Sequence, residues 1–238
     1  MINELVEETP IAIAINGINF SVMLASPYDI EDFIVGYLHS ERIIKFNRDI
    51  HDITVTTNNE NIIVNVDIAN RCTHHLEQRQ RQLKGSTGCG ICGTQALEHA
   101  FPDLNPLAKA APYPLKYLQE IKPQLRHWQQ LGKNSGALHG AFWLNDQGDI
   151  LACREDIGRH NALDKLLGHI LRTNLSRNNG AILMTSRCSV ELVQKTIIAG
   201  VNQLVSLASP SAFAFKLAKA HNLHLIHIPK HDHPYLVE

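Results

Sequence analysis

The clearest fold signal lies in residues 181–228, AILMTSRCSVELVQKTIIAGVNQLVSLASPSAFAFKLAKAHNLHLIHI. Short apolar runs (AILMTS, LVSLA and LHLIHI) alternate there with amphipathic segments of about ten residues, VELVQKTIIAG and SAFAFKLAKAH. This alternation predicts right-handed βαβ units on a parallel sheet that helices cover on both faces. Immediately upstream, HGAFWLN and DILACRE predict a hairpin, and NALDKLLGHILR predicts the helix that follows it. We therefore expect an α/β fold.

Residues 1–70 have a different pattern, that of two hairpins and a helix. IAIAI and INFSVML are joined by Asn16-Gly17, the dipeptide that a type I′ hairpin turn favours. Ser26 and Pro27 are predicted to cap and start the helix in DIEDFIVGYLHS, and ITVTT and IIVNV predict a second hairpin. The chain accordingly divides into a β-rich N-terminal lobe with a connecting helix (1–84), a glycine-rich cysteine loop with a short helix (85–105), and an α/β domain (106–238).

Composition and charge exclude several classes of function. The 238 residues are 44% hydrophobic and 19% charged with a net charge of -1, so no global basic field favours nucleic acid or an anionic membrane. No segment approaches the roughly 18 apolar residues of a membrane span. The acidic N-terminus lacks the apolar core of a signal peptide, and the expected location is the cytoplasm.

Polar residues follow the predicted strands at four places: 154–161, 186–189, 208–211 and 228–231. Open α/β sheets bind ligands beyond the carboxyl ends of their strands, where helix N-termini present free N–H groups. For any single residue a solvated loop or a helix cap is the simpler interpretation, and Asp156 is expected to cap the following helix. Together the four segments predict a site for a phosphate-bearing ligand. Their candidate residues are Arg154, Glu155, Asp156, Arg159, His160, Arg187, Ser189, Ser209, Ser211 and Lys230.

Two thiols lie three residues apart in GSTGCGICG (85–93), at Cys89 and Cys92. This spacing occurs in redox dithiols and in half of a zinc site. Zinc would need further ligands, for which Cys72, His74 and His75 are the candidates. A thioredoxin-like dithiol would follow a strand, and none leads into this segment.

The glycines around the two thiols favour a third interpretation, a sulfur carrier. Glycine lets a loop approach another molecule closely, and a persulfide on one cysteine can pass its outer sulfur to an acceptor while the other thiol resolves the linkage. Three nearby cations, Arg79, Arg81 and Lys84, would favour the thiolate. The other cysteines, Cys153 and Cys188 among them, have the pattern of structural residues.

Several long motifs together resemble the FdhD family of formate dehydrogenase accessory sulfurtransferases. They are GSTGCGICG, CREDIGRHNALDKLLG (153–168), SRCSVELVQKTIIAGV (186–201), the ASPS loop (208–211), and LASPYDIEDFIVGYLHSERII (24–44). Members of that family accept persulfide sulfur from a cysteine desulfurase. They pass it to the molybdenum cofactor, bis-molybdopterin guanine dinucleotide, before the cofactor enters formate dehydrogenase.

The resemblance implies a three-layer α/β/α core similar to the cytidine deaminase fold, a homodimer, and no permanently bound metal. By position, Cys89 matches the persulfide-bearing cysteine of the family and Cys92 its partner. A segment near the C-terminus matches a cofactor-contacting stretch, with Lys230 where an arginine is usual. Its residues are Ile228, Pro229, Lys230, His231, Asp232 and His233.

Two other functions stay open at this point. A non-catalytic chaperone could bind the cofactor and use the cysteine loop as a docking or zinc element. A zinc deaminase would need H-x-E and P-C-x-x-C, whereas this chain has His139-Gly140-Ala141 and no proline before Cys89. His139 and His160 are nevertheless the histidines that we expect near the site.

Overall fold

The computed structural model describes residues 5–58, 60–77 and 103–238. The cysteine segment, with Cys89 and Cys92, lies outside the described residues. The described residues form ten strands: β1 (Thr9–Ile15), β2 (Ile18–Ala25), β3 (Ile50–Thr57), β4 (Ile62–Ile68), β5 (His139–Leu144), β6 (Ile150–Asp156), β7 (Ala181–Arg187), β8 (Gln203–Ala208), β9 (His224–His227) and β10 (Tyr235–Leu236). The helices with complete bounds are α1 (Ile30–Ser40), α2 (Ile121–Trp128), α3 (Arg159–Thr173), α4 (Val190–Ile198) and α5 (Ala212–Ala220).

The N-terminal strands form a four-stranded sheet in the order β2-β1-β4-β3. The first hairpin is confirmed, since Asn16 and Gly17 have φ values of +49° and +76°, both positive as a type I′ turn requires. The second hairpin, β3–β4, is confirmed as well. The parallel pairing of β1 with β4, which joins the two hairpins into one sheet, was not predicted.

The C-terminal strands form a six-stranded sheet in the order β10-β9-β8-β7-β5-β6. β7, β8 and β9 are parallel, as the alternating pattern predicted, and β5 is antiparallel to both β6 and β7. Helices α3, α4 and α5 pack against one face, around Trp143 and Met184. Helix α2 and a 3₁₀ turn at Leu115–Leu118 cover the other face, around Phe142 and Leu183. The α/β class is therefore confirmed, whereas the similarity to the cytidine deaminase fold stays a prediction.

Helices α1 and α3 connect the two sheets by crossing at a pair of glycines. A Cβ at Gly36 would collide with the backbone of Asp164, and a Cβ at Gly168 would collide with the backbone of Asp32. Only glycine allows the two backbones to approach this closely. No helix in the described part of the chain is long and apolar enough to span a bilayer.

The prediction that Ser26 caps α1 is wrong. The helix begins at Ile30 after Asp29, and Ser26 is instead buried against the end of β6. Its N–H donates to Oδ2 of Asp156 (2.9 Å), and its carbonyl accepts from Nζ of Lys165 (2.9 Å). Ser26 thus belongs to the joint between the two sheets.

Candidate functional site

The sheet topology brings the four predicted ligand-binding segments to one edge. Since β5 is antiparallel to both of its neighbours, β6 runs parallel to β7, β8 and β9. The carboxyl ends of these four strands therefore share an edge with the first residue of β5, His139. We call this the strand-end edge. It carries the N-termini of α3, α4 and α5.

Arg154 is held away from this edge by acidic groups. Its Nη2 lies 2.7 Å from Oδ2 of Asp32, and its Nε lies 3.6 Å from Oδ2 of Asp29. The same Nη2 contacts Nδ1 of His169 at 2.7 Å. Arg154 thus ties β6 to α1 and α3, and its guanidinium is already paired.

Glu155 and Asp156 also make internal contacts. The carboxylate of Glu155 accepts from the N–H groups of Leu131 and Gly132, both at 2.9 Å. Asp156 was predicted to cap α3, and this is wrong, because the N-cap is Gly158 and has no side-chain cap bond. Instead Asp156 forms an ion pair of 2.7 Å with Lys165, in which both side chains are 0% exposed.

The Asp156–Lys165 pair organises the turn that leads into α3. Oδ1 of Asp156 accepts from the N–H of Gly158 (2.8 Å) and from Nδ2 of Asn161 (3.1 Å). Lys165 donates further to the carbonyls of Ser26 (2.9 Å) and Glu155 (3.3 Å). Most polar residues of the REDIGRHNALDK run therefore fix the joint between the sheets, and this joint sets where α3 begins.

Arg159 and Arg187 form the cationic centre of the strand-end edge. Nε of Arg159 is buried and has no hydrogen-bond partner among the described residues. Both guanidinium groups lie close enough to His139 to act on its pKa, which is lowered first by burial and then by the Arg159 and Arg187 charges, against Asp156. Neither arginine forms an ion pair with a carboxylate in the described ranges, although the charge of Arg159 helps to lower the pKa of Glu191. An anion bound here would fill this role.

His160 and Ser189 lie beside this centre. Nε2 of His160 is 3.5 Å from Oγ of Ser189 and 3.3 Å from Oε2 of Glu191. Burial and the Arg159 charge lower the pKa of His160, against Glu191. His139 and His160 are thus both favoured as neutral imidazoles near pH 7, and the arginines carry the positive charge.

The other predicted residues lie along the same edge. Ser209 and Ser211 are exposed in the loop after β8, and Oγ of Ser211 caps α5 by accepting from the N–H of Ala214 at 3.1 Å. Ile228 is buried, Pro229 is half-buried, and Lys230, His231, Asp232 and His233 are exposed. Sequence reasoning missed Lys122, whose Nζ donates to the carbonyls of Pro229 and Lys230 and fixes this segment. A lone lysine on an amphipathic helix gives no signal of that role.

The three described cysteines are free thiols. Burial raises the pKa of both Cys153 and Cys188 to about 12, so these thiols stay protonated at neutral pH. Burial also raises the pKa of Cys72, with Asp49 acting in the same direction. They behave as structural residues, and any thiolate chemistry would have to use the pair outside the described ranges.

Comparisons with known proteins identify relatives of this chain. The model of the FdhD/NarQ family matches residues 6–237. A protein from Cupriavidus necator named sulfur carrier protein FdhD is 41% identical over 217 residues, which are 91% of this chain and 75% of the relative. A protein of the same name from Bordetella petrii is 38% identical over 220 residues, 92% of this chain and 79% of the relative.

The fold is also similar to a solved structure. A crystal structure from Desulfotalea psychrophila, provisionally assigned as a formate dehydrogenase accessory protein, superposes with a TM-score of 0.72. It is 26% identical, and the match covers 97% of this chain and 86% of that one. The similarity therefore includes both sheets.

Proposed function

The chain belongs to the FdhD/NarQ family of sulfur carrier proteins, and on this basis we propose that it is a sulfurtransferase for the molybdenum cofactor. The donor is a cysteine desulfurase, the acceptor is bis-molybdopterin guanine dinucleotide, and the client is formate dehydrogenase. The protein acts in the cytoplasm as a homodimer. Cys89 and Cys92 carry the sulfur, and the strand-end edge binds the nucleotide end of the cofactor.

The thiol chemistry balances in two steps. The Cys89 thiolate attacks the outer sulfur of the donor persulfide, a new S–S bond forms, and the donor cysteine leaves as a thiolate. The Cys92 thiolate then attacks the inner sulfur of the Cys89 persulfide. This gives a Cys89–Cys92 disulfide and releases the outer sulfur as hydrosulfide for the acceptor. A cellular dithiol reductant restores the pair.

One observation among the described residues supports the cofactor assignment most directly: the charges of Arg159 and Arg187 both act on His139, and neither guanidinium forms an ion pair with a carboxylate of the described ranges. Two guanidinium groups without a carboxylate partner suit a phosphate, which accepts bidentate hydrogen bonds. The helix N-termini at the same edge add N–H donors and a favourable dipole. The guanine nucleotide phosphates of the cofactor meet both requirements.

The sulfur-carrier proposal is tested by mass spectrometry. The purified chain is incubated with a cysteine desulfurase and cysteine, and peptides covering residues 85–93 are mapped without reductant. We expect a reductant-sensitive gain of sulfur on Cys89 or Cys92, which is lost in Cys89→Ser. Cys153→Ser is the matched control and keeps the gain, because its thiol is held protonated. A stoichiometric zinc adduct without any sulfur gain would overturn the proposal.

Maturation of formate dehydrogenase separates a carrier from a chaperone. A carrier requires Cys89, so Cys89→Ser should abolish maturation while cofactor binding persists. A non-catalytic chaperone would tolerate the same change. Arg187→Gln provides the converse variant, since it should weaken cofactor binding and leave persulfide loading of Cys89 intact.

A further inference from the structure

A cavity lies at the edge of the six-stranded sheet that is opposite the strand-end edge. It has a volume of about 620 Å³ and lies between the residues that follow α1 and the C-terminal end of α4. Helix α4 begins at the strand-end edge after Ser189 and ends at Ile198, which lines this cavity. The cavity is therefore separated from Arg159 and Arg187 by the length of α4. Its volume falls in the usual range for small-molecule sites.

The cavity combines an apolar floor with a cationic rim. Arg42, Lys45 and Arg48 are exposed at the rim, and none forms an ion pair with a carboxylate of the described ranges. Arg71 is also at the rim but is paired with buried Asp49 at 2.6 Å. The floor consists of buried apolar side chains. They are Ile43, Ile44, Cys72, Leu104 and Ile197.

The lining has two chemically different parts. An apolar floor suits a flat heterocycle, and three rim cations without a carboxylate partner suit a phosphate. Arg42 also donates to the carbonyl of Asp103 (3.1 Å), which holds its guanidinium at the rim. We propose that this cavity binds a phosphate-bearing heterocycle of nucleotide size, with its phosphate at Arg42, Lys45 and Arg48 and its ring against the apolar floor. The site is separate from the strand-end edge, and the inference does not depend on the proposed sulfur transfer.

The cavity is lined by residues that flank the cysteine segment in sequence. Cys72 and His75 line the cavity from one side of the cysteine segment in sequence, and Leu104 and Asn105 line it from the other. A ligand bound here would contact the residues on both sides of that segment.

The strand-end edge is itself proposed to bind a guanine nucleotide, so the test is titration calorimetry with GMP of the Arg187→Gln chain, in which that edge is weakened. In this background Lys45→Glu reverses one rim charge and should weaken GMP binding about tenfold. Lys219→Glu is the matched control, because Lys45 and Lys219 each lie over a phenylalanine ring, at 5.4 and 5.6 Å, but Lys219 does not line the cavity, so little effect is expected. A further variant, Ile198→Trp, fills the cavity without changing charge and should abolish the remaining binding.

Two further titrations identify the bound group and the site. Ribose 5-phosphate should bind at least about tenfold more weakly than GMP, since it lacks the ring that meets the apolar floor. GMP binding that survives Arg187→Gln but not Lys45→Glu supports the cavity. GMP binding that depends on Arg187 alone, equal binding of ribose 5-phosphate, or no saturable binding would each overturn the proposal and leave the strand-end edge untouched.

Discussion

Replacing Lys165 by methionine tests how far the joint between the two sheets holds the molecule together. Lys165→Met keeps an unbranched apolar side chain, one atom shorter, and removes the ammonium group. The carboxylate of Asp156 is then left with 0% exposure and without its counter-ion. The carbonyls of Ser26 and Glu155 lose a donor at the same time.

The expected loss follows from these contacts. Breaking a buried ion pair from one side costs about 3–5 kcal/mol, because the remaining charge stays uncompensated. The carbonyl of Ser26 keeps the hydrogen bond from the N–H of Tyr28 (2.8 Å), so the donor lost by the two carbonyls adds little and the loss stays within this range. The N–H groups of Gly158 and Ser26 still donate to Asp156, which prevents a larger loss. Native domains have about 5–15 kcal/mol in total, so the variant should retain its fold with a much lower urea midpoint.

The measurement is urea unfolding of four proteins: the natural chain, Lys165→Met, Asp156→Asn and the double variant. In the double variant no charge is buried alone. It should therefore be more stable than Lys165→Met, with a coupling of about 1–3 kcal/mol. Lys219→Met, at an exposed site, should change stability by less than about 0.5 kcal/mol. A loss below about 1 kcal/mol for Lys165→Met, or simple additivity, would refute the reasoning.

Three further outcomes are expected. Gly168→Ala should destabilise the fold by at least about 3 kcal/mol, because the new Cβ would meet the backbone of Asp32. This loss comes despite a gain in helix propensity of about 1 kcal/mol. Thermal unfolding measures the change, and a stable variant would contradict the close helix crossing. In native protein at pH 8, iodoacetamide should spare Cys153 and Cys188, whose pKa values burial raises to about 12, and should label both after unfolding in urea, as peptide mapping will reveal. The free energy of unfolding should fall as the pH decreases from 7 to 5, because folded-state pKa values below 6.5 mean that the unfolded chain binds protons first. The loss is up to about 1.4 kcal/mol per pH unit for each histidine and is smallest for the partly exposed His160. A flat pH profile in urea unfolding would contradict this. The histidines concerned are His39, His139, His160 and His169.

The parts of the fold that were predicted are those with local signals. Asn16-Gly17 specifies its hairpin within two residues, and the alternation of residues 181–228 specifies β7, β8 and β9. The pairing of β1 with β4 has no local signal, because it joins strands that are separated by α1 and β3. Gly36 and Gly168 likewise read as two unrelated helix glycines, and only the crossing of α1 with α3 gives them a role. Nonlocal contacts are what sequence patterns leave open.

The same division explains why a specific motif does not by itself locate a site. Asp156, Asn161 and Lys165 belong to a run that identifies the family, yet they hold the joint, and Ser26, which was assigned to a helix cap, is their partner. Within that run only Arg159 and His160 remain at the strand-end edge. The joint nevertheless bears on ligand binding, because Asp156 fixes the N–H of Gly158, the residue directly before Arg159. Loosening the joint should therefore weaken anion binding at Arg159 even where the fold survives, so Lys165→Met links the stability of the two sheets to the geometry of the edge.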